Sequence, residues 1–225
     1  MEVLYEDNHL LAVSKAPGEI VQGDRTGDEP LVENCKAYIK EKYNKPGAVF
    51  LGVVHRLDRP VSGVVLFART SKALTRLNDA FRRRDDLEKI YLALVEGRPD
   101  RPAATLTHHL LRNREKNKSY PVSKGTKEAK EAVLDYQTVA QPSEGQTLLE
   151  IHLHTGRHHQ IRAQLAAIGC PIVGDVKYGA TYPLPDASIA LHARSLTLIH
   201  PVRREPITFT APLPTTPIWD PIRDL

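Results

Sequence analysis

The 225-residue chain has little cysteine. Cys35 and Cys170 are its two, in a helix-like and a helix-end context, with no metal-type spacing. Two free thiols in a reducing compartment are the simplest reading. The chain lacks any apolar stretch approaching the roughly 20 residues that span a bilayer. Its start, Met1-Glu2-Val3-Leu4-Tyr5-Glu6-Asp7, is acidic, whereas a signal peptide is basic and then apolar. A cytoplasmic protein without membrane association is therefore expected. Internal repeats are missing, and no stretch is rich enough in Gly, Ser or Pro to separate independent domains, so one domain over residues 1–225 is expected. A strong charge of one sign is missing too. The balance of 31 Lys and Arg against 27 Asp and Glu permits a polyanionic partner without demanding one.

What is present is 41% hydrophobic content, enough for a sizeable core, and a well-punctuated series of elements. Two short strands are read around Glu6-Asp7-Asn8, the second broken by Pro17-Gly18. Leu31, Cys35, Tyr38 and Ile39 fall at helical spacing and stop at Asn44-Lys45-Pro46-Gly47. The runs Val49 to Val54 and Gly63 to Ala68 read as strands. Thr70 or Ser71 caps a helix with the stripe Ala73, Leu74, Leu77 and Phe81. A strand from Ile90 to Glu96 follows. Further strands are read at Ala132 to Val139, Thr147 to Leu153, Ile189 to Ile199 and Pro206 to Ala211. In Thr147 to Leu153, apolar Leu149, Ile151 and Leu153 alternate with Glu150, His152 and His154. A helix from 158 to 168 has the stripe Ile161, Leu165 and Ile168 and ends at Gly169. The fold expected is α+β: a mixed, mainly antiparallel sheet flanked by helices around a central cleft.

Residues 101–131 form the most basic window, with Arg112, Arg114, Lys116, Lys118 and Lys130 among its cations and few apolar anchors after Leu111. The window reads as an arm or a long hairpin. Solvated charge is one account of it, and neutralisation of phosphates is the other.

The feature around which the chain is organised is His55-Arg56-Leu57-Asp58-Arg59-Pro60-Val61-Ser62-Gly63. Here a carboxylate sits between two arginines, in a turn held by a strand on either side. Taken alone this is a surface ion pair. The surrounding motifs change that reading. Lys15-Ala16-Pro17-Gly18, this nonapeptide, Lys89-Ile90-Tyr91-Leu92-Ala93-Leu94-Val95 and Thr155-Gly156-Arg157-His158-His159-Gln160-Ile161-Arg162 are followed by Pro171-Ile172-Val173-Gly174-Asp175 with Tyr178-Gly179, Leu191-His192-Ala193 and His200-Pro201. In this order they resemble the RluA family of RNA pseudouridine synthases. Val61 and His158 stand where that family often has threonine. The S4-type RNA-binding module of larger relatives has no counterpart in this sequence, so a short member without it is expected.

The resemblance implies an isomerase that turns uridine in RNA into pseudouridine, with RNA as partner, ribosomal or transfer RNA as target, and no cofactor or metal. It makes Asp58 the essential catalytic residue, by attack on sugar or base or by abstraction of the 2′ proton. It places Tyr91 against the target base. Helical geometry sets Arg162 at the margin of the buried face, where a guanidinium wants a carboxylate. The resemblance implies that this carboxylate is Asp58. The target must be flipped out of its stack. Arg59 is the candidate wedge, and Arg157 and His159 are candidate phosphate or sugar contacts. His55, Arg56, Lys89 and Gln160, from the same motifs, are assigned to RNA contact with them. A monomer is the default expectation.

Three other chemistries compete. His152, His154, His158 and His159 invite a metal site, but no cysteine joins them. A glycosidase needs a second carboxylate, for which Asp175 stands in a suitable place. A catalytically silent RNA-binding module would not need Asp58, Tyr91 and Arg162 together.

Overall fold

The computed structural model describes residues 1–24 and 26–223. In chain order the elements are β1 (Glu2–Glu6), β2 (Leu10–Lys15), α1 (Leu31–Lys42), β3 (Gly52–Val53), β4 (Ser62–Ala68), α2 (Ser71–Arg83), β5 (Glu88–Glu96), β6 (Ala103–Asn113), β7 (Lys118–Val122), β8 (Lys130–Ala140), β9 (Gln146–Leu153), α3 (Gln160–Ala167), β10 (Leu191–Ile199) and β11 (Pro206–Thr210). This is an α+β fold in which sheet predominates. The chain folds as two compact units, Met1–Glu88 with Ala193–Pro212, and Lys89–His192 with the segment from Leu213. Among the described residues no helix is long and apolar enough to cross a membrane.

In the first unit β2 lies between β1 and β4, antiparallel to both, with Leu10 opposite Ala68 and Lys15 opposite Gly63. The residues of β4 are buried from end to end, which explains a run, Val64-Val65-Leu66-Phe67, without polar alternation. One face packs Leu10, Ala12, Val64 and Leu66 with Ala73 and Leu77 of α2 and with Leu196, Leu198 and Phe209. Thr70 is the cap of α2, its Oγ1 accepting the Ala73 N–H at 3.2 Å. The expected strand from Val49 shrinks to Gly52–Val53, because residues 45–50 are largely exposed and pair with nothing in the sheet. His200 of the His-Pro motif ties the unit together. Its Nδ1 accepts the Val202 and Arg203 N–H groups, so its Nε2–H donates to Asp7 Oδ2 at 2.9 Å.

In the second unit β5, β9, β8, β6 and β7 form an antiparallel series. The basic window is the hairpin β6–β7, and β6 is also paired along its length with β8. In β9, Leu149, Ile151 and Leu153 are buried, with the polar residues between them half-exposed. Helix α3 starts two residues later than expected, because His159 is in the left-handed region at φ 52° and cannot extend it. It is also buried more completely than its expected stripe. Every residue from Gln160 to Leu165 is inside, Arg162 included, whereas Ile168 is half-exposed. Gln164 makes this tolerable, its Nε2 donating to the Leu106 and Ala132 carbonyls at 3.0 and 3.2 Å. Cys35 and Cys170 are free and buried, and burial pushes the Cys35 thiol up to about 12.

Candidate active site

The Asp58 loop is fixed from several sides within its own unit. Lys15, 1% exposed, sends its ammonium to three carbonyls: Val61 at 2.6 Å, Ala16 at 2.9 Å and Arg59 at 3.1 Å. The Gly18 N–H reaches the Arg59 carbonyl at 2.8 Å, and the Val61 N–H closes a turn onto the Asp58 carbonyl at 3.0 Å. Before the turn, His55 Nε2 accepts the Leu66 N–H at 3.0 Å, and its ring stacks on Phe81. Leu57 is buried. Asp58 thus stands, half-exposed, on backbone anchored both before and after it. Burial lowers the Lys15 pKa to about 8, against the pull of Glu19 and Asp58, whose charges favour the ammonium.

Just after the turn, Gly63 has φ 119°, and a Cβ there would lie 2.3 Å from the Ala193 carbonyl oxygen. Only glycine fits a strand that approaches β10 so closely. The two arginines flanking Asp58 differ. Arg56 is exposed, while Arg59 donates to Asp28 Oδ2 at 2.7 Å and to Thr26 Oγ1 at 2.8 Å. Arg59 thus forms a surface ion pair with Asp28, an acid other than the Asp58 that the sequence reading named.

In the second unit Tyr91 lies on β5 opposite Ile151, half-buried. Lys89, two residues earlier, has its Nζ 3.7 Å from the position of a Cβ on Gly156, so it overhangs the Thr155-Gly156 turn. That turn is locked by Gln160. Its amide oxygen accepts from Thr155 Oγ1 at 2.7 Å and from the Arg157 N–H at 3.0 Å, and its amide nitrogen donates to the Val133 carbonyl at 3.1 Å. Arg157 is pinned through Nε to the Glu131 carbonyl at 2.8 Å.

Arg162 is 5% exposed and meets Asp175, 1% exposed, at two points: Nε to Oδ2 at 2.7 Å and Nη2 to Oδ1 at 2.8 Å. Its guanidinium carbon also lies 5.0 Å from the centre of the Tyr178 ring. The Tyr178 hydroxyl accepts the Ser119 N–H at 2.8 Å and lies 3.0 Å from His159 Nδ1. Burial, reinforced by the charges of Arg162 and Lys177, pushes the His159 pKa down to about 2, so the ring is neutral. His159 also stacks on His158 at 3.8 Å. Arg162 is thus oriented by an acid, an aromatic face and the histidine behind that face.

Two residues of this framework escape sequence reasoning. Asp175 follows a glycine in a turn-like context, where an aspartate is ordinary. The signal was Gly174, which has φ 87° and whose Cβ would press on Leu184 and on the Ser188 carbonyl. Lys15 was visible as a motif, but its acceptors are backbone carbonyls, which carry no sequence signal. The competing chemistries also meet specific geometry. Both Asp175 oxygens accept from Arg162, so this carboxylate is not poised to donate a proton as a glycosidase acid. His154 pairs with Asp135 at 2.6 Å and His152 with Glu150 at 3.3 Å. Among the described residues, no three His, Cys, Asp or Glu side chains gather as a metal site.

Comparison with known proteins bears on the whole of this framework. Residues 9–167 match the family model described as RNA pseudouridylate synthase. Ribosomal large subunit pseudouridine synthase D of Xanthomonas campestris pv. campestris is 36% identical, over 95% of this chain and 66% of that protein. The uncharacterised RNA pseudouridine synthase YhcT of Bacillus subtilis is 32% identical, over 95% of this chain and 69% of its own length. The chain thus spans about two thirds of the length of these relatives. The solved structure of human RNA pseudouridylate synthase domain containing 4 has the same fold, with a TM-score of 0.79 at 24% identity, over 95% of this chain and 89% of that one. The chain belongs to the RluA-type RNA pseudouridylate synthase family, isomerases that convert uridine in RNA to pseudouridine.

Proposed function

We propose that this chain isomerises specific uridines of structured RNA, as a monomer in the cytoplasm, with Asp58 as its essential carboxylate. Tyr91 packs against the target base, and Arg162 serves the same reaction in the role that the family resemblance implies. The observation that carries this reading is the anchoring of the Asp58 loop. A half-exposed carboxylate on backbone held by a buried lysine, a glycine N–H and a stacked histidine is a preorganised group, which a surface ion pair would not require. The reaction breaks N1–C1′, turns the held base and joins C5 to C1′. Its atoms and electrons balance within the nucleotide, so the chemistry calls for no cofactor.

Direct RNA contact falls to His55, Arg56, Arg59, Lys89 and Arg157, with Arg59 exchanging Asp28 for phosphate. His159 and Gln160 are buried, and we assign them an indirect part, holding the turn that presents Arg157. Relatives named for the ribosomal large subunit favour ribosomal over transfer RNA as the target. Digestion of RNA treated with the protein tests the reading. Pseudouridine should form with no free uracil. Released uracil would indicate a hydrolase, and unchanged uridine a silent RNA-binding module.

A further inference from the structure

The hairpin β6–β7, the start of β8 and the turn at Gly156 enclose an open recess of about 490 Å³. Arg112, Arg114, Lys130 and Arg157 line it, with Ser119 and His158 beside them, and Glu128 is its one carboxylate. Several cations elsewhere are neutralised by acids. Lys36, Lys42, Arg59, Arg69 and Arg82 each meet a carboxylate. Among the described residues, Arg112, Arg114 and Lys130 have no acid within ion-pair distance.

The recess is also built on rigid backbone. Arg112 stands opposite Ser119 in the β6–β7 ladder, and Lys130 opposite Leu110 in the β6–β8 ladder. Ser119, 2% exposed, donates from Oγ to the His158 carbonyl at 2.7 Å and stays 2.9 Å from His158 Nδ1, which joins the hairpin to the turn. Arg157 is held through Nε to the backbone of β8. Adjacent His159 feels the resulting positive potential, since the charge of Arg112 also opposes its protonation.

We propose that this recess is a binding site for the phosphodiester backbone of the substrate RNA. Clustered guanidinium groups suit phosphate, which they bind through paired N–H donors. The backbone that carries Arg112 and Lys130 is held in paired strands, so binding has only the side chains to order. An acidic peptide is the alternative ligand, but the family's substrate supplies phosphate, and the inference rests on that family reading.

The test uses the full chain carrying Arg112→Gln, Arg114→Gln and Lys130→Gln together. A control set, Lys40→Gln, Lys45→Gln and Lys72→Gln, removes the same charge from exposed lysines elsewhere. The probe is an RNA transcript rich in uridine, with wild-type conversion to pseudouridine checked first and folding checked by circular dichroism. Binding is followed by fluorescence anisotropy between about 50 and 200 mM salt. The recess variant should bind at least about tenfold more weakly. The slope of log affinity on log salt should shrink by about 2, because each phosphate neutralised contributes roughly 0.7–0.9. The control set should bind like wild type. Equal affinity and slope in the recess variant would overturn the inference, even with wild type fully active. Should wild type form no pseudouridine in this transcript or in ribosomal RNA, the proposed activity fails, and the salt slope still judges the recess separately.

Discussion

Arg162 and Asp175 form a buried two-point ion pair, with both oxygens of the acid on the guanidinium and the Tyr178 ring against it. A guanidinium seated in this way has one orientation, fixed before any RNA arrives. Family resemblance assigns Arg162 to the reaction, and the structure shows what holds it.

Removing the acid should therefore cost stability and activity together. Asp175→Asn leaves a guanidinium buried beside a neutral amide, and losing one partner of a buried pair costs about 3–5 kcal/mol. Urea denaturation should show a loss of that size, and turnover should fall at temperatures where the variant is still folded. Arg162→Ala should lose as much stability, since it strands the Asp175 carboxylate, and should abolish most turnover. A stability within about 0.5 kcal/mol of wild type for Asp175→Asn would contradict the account.

Lys15 gives a pH-dependent prediction. Its pKa is lowered from 10.5 to about 8 in the folded protein. Below about 8 the ammonium is charged in both states and its burial opposes folding. Between about 8 and 10.5 the unfolded chain binds the extra proton, so stability rises with pH. The slope from this group is at most about 1.4 kcal/mol per pH unit. Unfolding free energies of wild type and Lys15→Met, measured from pH 7.5 upward to about 10, should diverge in that direction, while other titrations cancel in the difference. Parallel curves would show that Lys15 is not buried as described.

Gly63 tests the close approach of β4 to β10. Gly63→Ala puts a methyl group 2.3 Å from the Ala193 carbonyl oxygen at a φ of 119°. Backbone strain of this kind costs about 1–3 kcal/mol before the clash is added. Thermal melting should show a variant that is strongly destabilised or does not fold. A melting temperature near that of wild type would mean that the strands lie further apart.

Much of this fold is legible in the sequence, and the reasons are local. Helices α1 and α2 announce themselves through stripes at 3.6-residue spacing, and α2 through its Thr70 cap. Strand β9 shows its two faces by alternation. What is not legible depends on partners distant in sequence. Lys15 acts on carbonyls 44 and 46 positions away, which any residue type could present. Helix α3 looked amphipathic because Arg162 and Gln164 are polar. They are nevertheless inside, where Asp175 meets the Arg162 guanidinium and the carbonyls of Leu106 and Ala132 accept from the Gln164 amide nitrogen. The sequence motif assigns His159 and Gln160 to RNA contact. Both are buried, His159 on a left-handed backbone and Gln160 with its amide bonded to Thr155, Arg157 and Val133.

Tritium release from RNA labelled at uridine C5, compared for wild type and Asp58→Asn, decides whether Asp58 is the catalytic carboxylate. The substitution keeps the shape of the side chain and leaves the loop anchors, Lys15, Gly18 and His55, in place. The variant should bind RNA with little change and release no tritium above background, while wild type releases it steadily. Turnover by Asp58→Asn at a rate near that of wild type would contradict the assignment of Asp58 as the catalytic carboxylate.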